Sequence, residues 1–248
     1  MEGERAHHLG RVLRADRGQV YELSDGNRVW LARVEEAKRD RIGFSLVEEL
    51  PVSPPALHTT LLLSIVKFDA FEFALEKATE LGVSAIVPLA AARSEKALLT
   101  AAPKRAERWK KILLEASQQS RRLRIPELAA LTKPEAAFSS TAIELKILFS
   151  ERHEARPLRS ILEGHSHAGG KTVATAEEAN RAIGDPEGHI PAGGIASAIL
   201  AIGPEGGWTD AEFDCARKHG FCEASLGRLI LRTETAVIAA LSSLNYAL

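Results

Sequence analysis

Two stretches in the last fifth of the chain have the residue types of a binding site. Gly203-Pro204-Glu205-Gly206-Gly207 joins the apolar run AILAI to Thr209-Asp210-Ala211-Glu212, which has the form of a capping box that opens a helix. Its glycines let backbone amides and carbonyls come close to a flat ring. A phosphate cradle at a helix start also needs a lysine or arginine, whereas this loop carries the carboxylate of Glu205. Anionic phosphate is therefore disfavoured, and hydroxyls or a cationic ligand are accepted; a tight strand-to-helix turn without a ligand is the alternative. The second stretch, SLGRLILRTETA from Ser225 to Ala236, reads as strand, glycine and loop leading into a helix capped at Thr233. If the two loops are neighbours they frame one pocket. Leu226, Ile230 and Leu231 then give apolar walls for a base, Glu205 gives polar contacts, and Arg232 meets an anion or a reacting base.

These loops need a scaffold, and the sequence patterning supplies one. Residues 1–49 hold short alternating, β-branched runs (QVYEL, RVWLARVEEA, RIGFSLVEEL) separated by turn residues such as Ser24-Asp25-Gly26-Asn27, the pattern of a small antiparallel barrel or meander. LPVSPPALH, Leu50 to His58, is proline-rich without periodicity and reads as a stiff connector between domains 1–50 and 58–248. Beyond it strands and helices alternate. TLLLSIVK is a buried strand, and DAFEFALEKATELG is a helix with Asp69 as N-cap and Gly82 as terminator. VSAIVPL is a strand and APKRAERWKKILLEASQQS a helix with Trp109, Ile112, Leu113 and Ala116 on one face. LKILFS, SAILAIG and EASLG are further strands, with helices from Thr209 to His219 and from Thr233 onward. Such alternation implies an α/β fold with a parallel sheet covered on both faces, and ligands of open α/β sheets bind at the C-terminal strand edge. AIGDPEGHIPAGG, 182–194, looks like a copy of the 201–213 stretch but has no strand before it and no capped helix after it. It reads as part of a long irregular excursion, about 165–197, without catalytic duty.

Composition narrows the classes of function. With 248 residues, 45% of them hydrophobic, and a formal charge of −1, the chain can bury a full core and has no global field for polyanions; nucleic-acid contact must come from local patches. Cys215 and Cys222 show no CxxC spacing and read as reduced packing residues. The N-terminal stretch lacks an apolar run of signal-peptide length and no segment approaches a membrane span, so a cytoplasmic protein without membrane contact is expected. His165 and His167 have no further ligands at metal spacing, and no metal is expected.

GPEGG followed by LGRLILRTETA resembles the RsmE family of ribosomal RNA uridine N3 methyltransferases, members of the SPOUT superfamily. ERAHHLGRVLR is similar to the family's N-terminal motif. KATELGVSAIVPL, Arg93-Ser94, the segment Gln119 to Pro126 and LFSER match its core. The chain departs from the family at Phe68, where a glycine is common, at Gln118 and Arg121, which replace a glutamate and a glycine, and at Arg228-Leu229. The resemblance implies a small PUA-like β-barrel followed by a SPOUT-type parallel sheet with a deep C-terminal trefoil knot. It also implies a homodimer, S-adenosylmethionine as methyl donor, and 16S ribosomal RNA, in the assembled small subunit, as substrate.

Carried onto this chain, the cofactor residues are Ser150, Glu151, Gly203, Pro204, Glu205, Gly206, Gly207, Leu226, Gly227, Ile230, Leu231 and Arg232. Arg232 is the candidate stabiliser of a developing uracil anion, with Glu234 as helper; a structural salt bridge between these two is the alternative. Arg11, Arg14, Lys67, Arg93, Arg122 and Arg124 are the candidate RNA contacts, while the run Lys104 to Lys111 reads as a solvated helix face. Two other functions fit the same features: a non-catalytic RNA-binding assembly factor with a dead pocket, and a SPOUT methyltransferase acting on another RNA.

Overall fold

The computed structural model describes residues 1–3, 10, 15–38, 41–52, 57–139, 143–168 and 195–248. ERAHH, Arg11, Arg14 and the 182–194 copy of the glycine loop lie outside the described residues. The chain divides into two compact units, Met1–Pro54 and Pro55–Leu248.

The first unit is a three-stranded antiparallel sheet in the order β1 (Val20–Ser24), β2 (Val29–Ala37), β3 (Ile42–Leu50). The turn expected at 24–27 joins β1 to β2. There the Asp25 carboxylate accepts the backbone N–H groups of Asn27 and Arg28, both at 2.8 Å, so the side chain mimics a backbone turn. Ala15, Val34 and Ile42 form its small core, with Tyr21 and Phe44 meeting edge to face.

The second unit carries a seven-stranded sheet in the order β6-β5-β4-β9-β7-β10-β8. Its strands are β4 (His58–Ser64), β5 (Ala85–Leu89), β6 (Glu127–Leu128), β7 (Leu145–Phe149), β8 (Arg156–Pro157), β9 (Ser197–Ile202) and β10 (Cys222–Ser225), and every pairing is parallel. The strand period of two sorts side chains into two cores. Leu61 and Leu63 of β4, Ile147 and Phe149 of β7, and Leu200 and Ile202 of β9 point to one core. Leu62, Leu148, Ile199 and Ala201 point to the other. Both faces are buried, as parallel sheets require.

The first core is covered by α1 (Phe68–Glu80), which packs on α3 (Ala106–Gln119) and α7 (Thr233–Ala247). The second is covered by α4 (Pro134–Phe138) and α6 (Asp210–Lys218), with Trp208, Phe213 and Phe221. The short helix α2 (Lys96–Ala101) and a 3-10 turn, Ala102–Arg105, lead into α3. On α3, Trp109, Leu113 and Ala116 are buried and Ile112 is partly buried, the face that the spacing predicts.

Three local expectations are corrected. Asp69 does not cap α1: the helix begins two residues earlier, with Lys67 at the cap position and no side-chain cap bond. Glu72, which would complete a capping box with Asp69, instead binds Arg105 (2.9 Å) and Arg108 (2.8 Å) of the neighbouring segment, a stronger attraction than a terminal N–H offers. Likewise Arg232, not Thr233, occupies the cap position of α7. Finally, α5 (Leu158–Ala168) has no counterpart in the sequence pattern, and the excursion expected from residue 165 is still helical to Ala168. Its apolar positions Leu158, Ile161 and Leu162 are buried, but a proline-led start without a capping residue hides it in the sequence.

Candidate functional site

The working loop forms where β9 ends at Ile202, between β4 and β7, at the C-terminal edge of the sheet. The capping box of α6 is complete: Glu212 N–H donates to Thr209 Oγ1 at 3.3 Å, and Glu212 Oε2 accepts Thr209 N–H at 2.8 Å. The loop is held from below by Trp208, whose Nε1 donates to the carbonyl of Phe149 at 3.0 Å in a buried site. A Cβ on Gly203 would lie 3.0 Å from that indole, so the close approach itself demands glycine. Gly207 has φ +67°, a conformation that favours glycine.

A third segment, absent from the sequence reading of the loop, clamps it. Arg93, in the turn after β5, donates through Nη1 to the carbonyls of Gly206 (2.8 Å) and Trp208 (3.1 Å). One residue earlier, Ala92 N–H donates to Glu212 Oε1 at 2.8 Å. One residue later, buried Ser94 Oγ donates to the carbonyl of Ile65 at 2.8 Å. Glu212 thus serves the helix cap and the inter-loop tie together while only 3% exposed. Arg93 also supplies the cation that the loop itself lacks, with Nη1 turned onto backbone carbonyls.

Around this loop lies a cleft of about 550 Å³, in the size range of small-ligand sites. Every residue assigned above to the cofactor lines it: Ser150, Glu151, the whole 203–207 loop, Leu226, Gly227, Ile230, Leu231 and Arg232. Phe149, Trp208, Phe213 and Ala236 contribute apolar surface, and Arg93 and Arg152 border it; the Arg152 guanidinium stacks over the Phe213 ring at 4.6 Å. Ser150 Oγ donates to Glu223 Oε1 at 2.5 Å, tying the end of β7 to β10. The segment 226–232 is an irregular loop in which Gly227 has φ +130°, and Leu229 and Ile230 are 81% and 77% exposed. Large aliphatic side chains left in water at the mouth of a cleft are surfaces for a ligand to cover.

Arg232 is exposed at the start of α7, and among the described residues no ion pair joins it to Glu234. Glu234 does not line the main cleft. With Arg232, Glu205 and Lys67 it borders a second, adjoining one of about 490 Å³. The arginines proposed for RNA are divided. Arg122 donates to the carbonyl of Thr79 at 2.7 Å near the end of α1 and is half-buried, and that burial lowers its pKa from the usual arginine range; Arg124 is exposed. Within the run 104–111 four cations are ion-paired, Arg105 and Arg108 with Glu72, Lys110 with Glu107 and Lys111 with Glu115. Among the described residues no cluster of His, Cys, Asp and Glu could hold a metal ion, and no helix is long and apolar enough to cross a membrane. Cys215 and Cys222 are both free thiols.

Known proteins share this arrangement. Residues 53–245 match the family model of the RNA methyltransferase domain, and residues 2–46 that of the RNA methyltransferase PUA domain. The chain is 32% identical over 246 residues to a ribosomal RNA small subunit methyltransferase E of Synechocystis, covering 96% of this chain and 70% of that one. It is 30% identical to its counterpart in Aquifex aeolicus, covering 98% and 91%. Among solved structures, ribosomal RNA small subunit methyltransferase E of Neisseria gonorrhoeae bound to S-adenosyl methionine superimposes with a TM-score of 0.77 at 28% identity, covering 99% of this chain and 90% of that one. A Legionella pneumophila methyltransferase in complex with the bound cofactor SAM gives the same score and identity, covering 100% and 90%. With a glycine loop and a cleft at the edge of its parallel sheet, and with both units matched across nearly their whole length, this chain belongs to the RNA methyltransferase family.

Proposed function

We propose that the protein transfers a methyl group from S-adenosylmethionine to ring nitrogen N3 of one uridine in 16S ribosomal RNA. The observation that carries this reading is the cleft in which the GPEGG loop and the 226–232 loop converge at one sheet edge, in a chain whose relatives are named for small-subunit ribosomal RNA methylation. The residues fit that donor. Bare glycine backbone and apolar side chains suit a nucleoside, Glu205 suits a hydroxyl or a positive centre, and the loop carries no phosphate-binding lysine. Ser150, Glu151, the 203–207 loop and Leu226 to Arg232 would hold it. When bound it supplies an electrophilic methyl group on a cationic sulfur.

The chain's own residues supply the rest. The imide proton must leave N3 as the new N–C bond forms, and negative charge spreads onto the uracil oxygens. Arg232, exposed beside the cleft without an ion-pair partner among the described residues, is placed to neutralise that charge. Glu234 and Glu205 are the nearby acceptors for the proton. Most of the acceleration comes from holding the reacting atoms in line, which the Arg93 and Trp208 clamps serve by fixing the loop.

The same reading includes the finer features that the family resemblance implies. Residues 1–50 act as a PUA-like barrel and 58–248 as the catalytic domain, RNA is contacted by Arg11, Arg14, Lys67, Arg93, Arg122 and Arg124, and the target is the assembled small subunit in the cytoplasm. A C-terminal knot is supported by strand order, since β10 lies between β7 and β8 while the chain connects those two directly through 150–155. A homodimer is supported by a groove of about 690 Å³ lined by Leu158, Leu162, Leu226 and Tyr246, the last 94% exposed. Mass spectrometry of digested ribosomal RNA from cells lacking the gene is the direct test: one N3-methyluridine disappears and returns on complementation. An unchanged RNA methylation profile overturns the assignment.

A further inference from the structure

Two clefts meet at the same two side chains. Glu205 and Arg232 line the larger cleft on one side and the smaller one, of about 490 Å³, on the other. A transfer between two bound molecules needs such a junction, because donor and acceptor must approach from separate pockets whose mouths meet at the reacting atoms. The smaller cleft is completed by Lys67, Asp69, Ala70, Phe73 and Glu234.

Its outer wall is a stripe that runs from the cap residue Lys67 into α1. Lys67, Ala70 and Phe73 are spaced by three residues and lie on one face, whereas the core of that helix is made by Phe71, Ala74, Leu75 and Ala78. Phe73 lies outside that core and keeps 43% of its surface exposed. An aromatic ring left open at the wall of a cleft that also holds a cation and carboxylates has the composition of a site for an unstacked base: a π-face for stacking, Lys67 for a phosphate, and polar groups for the base edge. Lys77, 5.5 Å from the ring centroid, is bound to Glu76 and Glu80 and supports the ring from the helix side.

We infer that the cleft between α1 and the 203–207 loop is the acceptor pocket, taking a single flipped-out pyrimidine nucleotide that stacks on Phe73 and presents its ring nitrogen at the Glu205–Arg232 junction. The inference rests on the proposed methyltransferase reading and adds to it where the substrate base sits and which residue selects an unpaired one.

The test is steady-state transfer of labelled methyl groups to small-subunit particles purified from cells lacking the enzyme, using the full chain and its Phe73→Ala, Phe73→Leu and Phe73→Trp variants. Base–aromatic stacking of about 1–3 kcal/mol corresponds to a roughly 5- to 150-fold loss of kcat/KM in Phe73→Ala. Calorimetric affinity for S-adenosylmethionine and the melting curve stay as in the wild type. Phe73→Trp restores transfer and Phe73→Leu, apolar but without a π-face, does not. Wild-type kcat/KM in Phe73→Ala, or equal rescue by leucine and tryptophan, overturns the pocket while leaving the methyltransferase reading intact. A wild-type protein that binds the donor and methylates nothing overturns the reading, and the pocket with it.

Discussion

Arginines at this site differ in what their guanidinium groups touch, and that difference separates chemistry from support. Arg232 is exposed at a helix start and makes no ion pair among the described residues, so removing it costs the fold little. Arg232→Ala is expected to lower single-turnover methylation by on the order of a hundredfold or more, the scale of losing one donor to a developing charge, with an unchanged melting curve. Arg232→Lys recovers part of the rate, because it keeps the charge and loses the planar fork. Near wild-type turnover by folded Arg232→Ala would make this residue a mere helix-start arginine. Arg93 was assigned to RNA from the resemblance, yet its Nη1 holds two carbonyls of the glycine loop. Arg93→Ala therefore loosens the loop before any RNA binds. Two charge-assisted bonds, partly screened by solvent, amount to about 1–2 kcal/mol, or roughly a 5- to 30-fold weaker affinity for S-adenosylmethionine. Calorimetry without RNA reads this directly, and an unaltered affinity would return Arg93 to a purely RNA-facing role.

At the scale of elements, the departures from the family pattern acquire physical meaning. Arg121, at a position where the family resemblance implies a glycine, has φ +55°, the one positive φ outside glycine among the described residues. A left-handed non-glycine residue costs roughly 1–2 kcal/mol, offset in part by the greater freedom of glycine in the unfolded chain. Arg121→Gly is therefore expected to stabilise the second unit by about 0.5–1 kcal/mol, seen as a rise of roughly 1–4 °C in its melting temperature. A lower melting temperature would mean that the arginine side chain contributes more than its backbone costs. Phe68, where the resemblance makes a glycine common, is absorbed differently: its ring lies under the Arg105 guanidinium at 4.3 Å and beside Trp109 at 6.2 Å. In the first unit, the N–H groups of Arg28 and then Asn27 hold the Asp25 carboxyl below its ordinary value. Because the folded pKa is depressed, the turn's contribution is fully present above the unfolded carboxylate pKa of about 4 and is lost as pH falls through the lowered folded value. An NMR titration of Asp25 with a midpoint at or above that of an unfolded peptide would remove this cause.

Across the whole molecule, the two units have separate cores: Ala15, Val34 and Ile42 in one, the two faces of the parallel sheet in the other. A fragment spanning Pro55–Leu248 is expected to fold and bind S-adenosylmethionine as the full chain does while losing most affinity for ribosomal RNA, read by calorimetry and filter binding. Retained RNA affinity would transfer recognition to the catalytic unit. The local pieces of this protein are legible in its sequence. The Thr209/Glu212 capping box, the glycine that ends α1, the alternating strands and both site loops were legible, because caps, periodicity and turns are contacts between near neighbours. The N-cap of α1 and the whole of α5 were misread for the same reason: the Glu72 carboxylate answers to Arg105 and Arg108 instead of its own helix, and the apolar face of α5 acquires meaning only against the sheet. Tertiary structure alone decided what the loops meet. Arg93 and Gly206 are 113 residues apart, Ala92 and Glu212 120 apart, and the second cleft joins α1 to a loop and a helix start from the far end of the chain. Those meetings follow from the strand order, which places β9 and β10 among strands made much earlier. Non-local pairing of this kind is set by the packing of the whole sheet, and no local stretch of sequence encodes it.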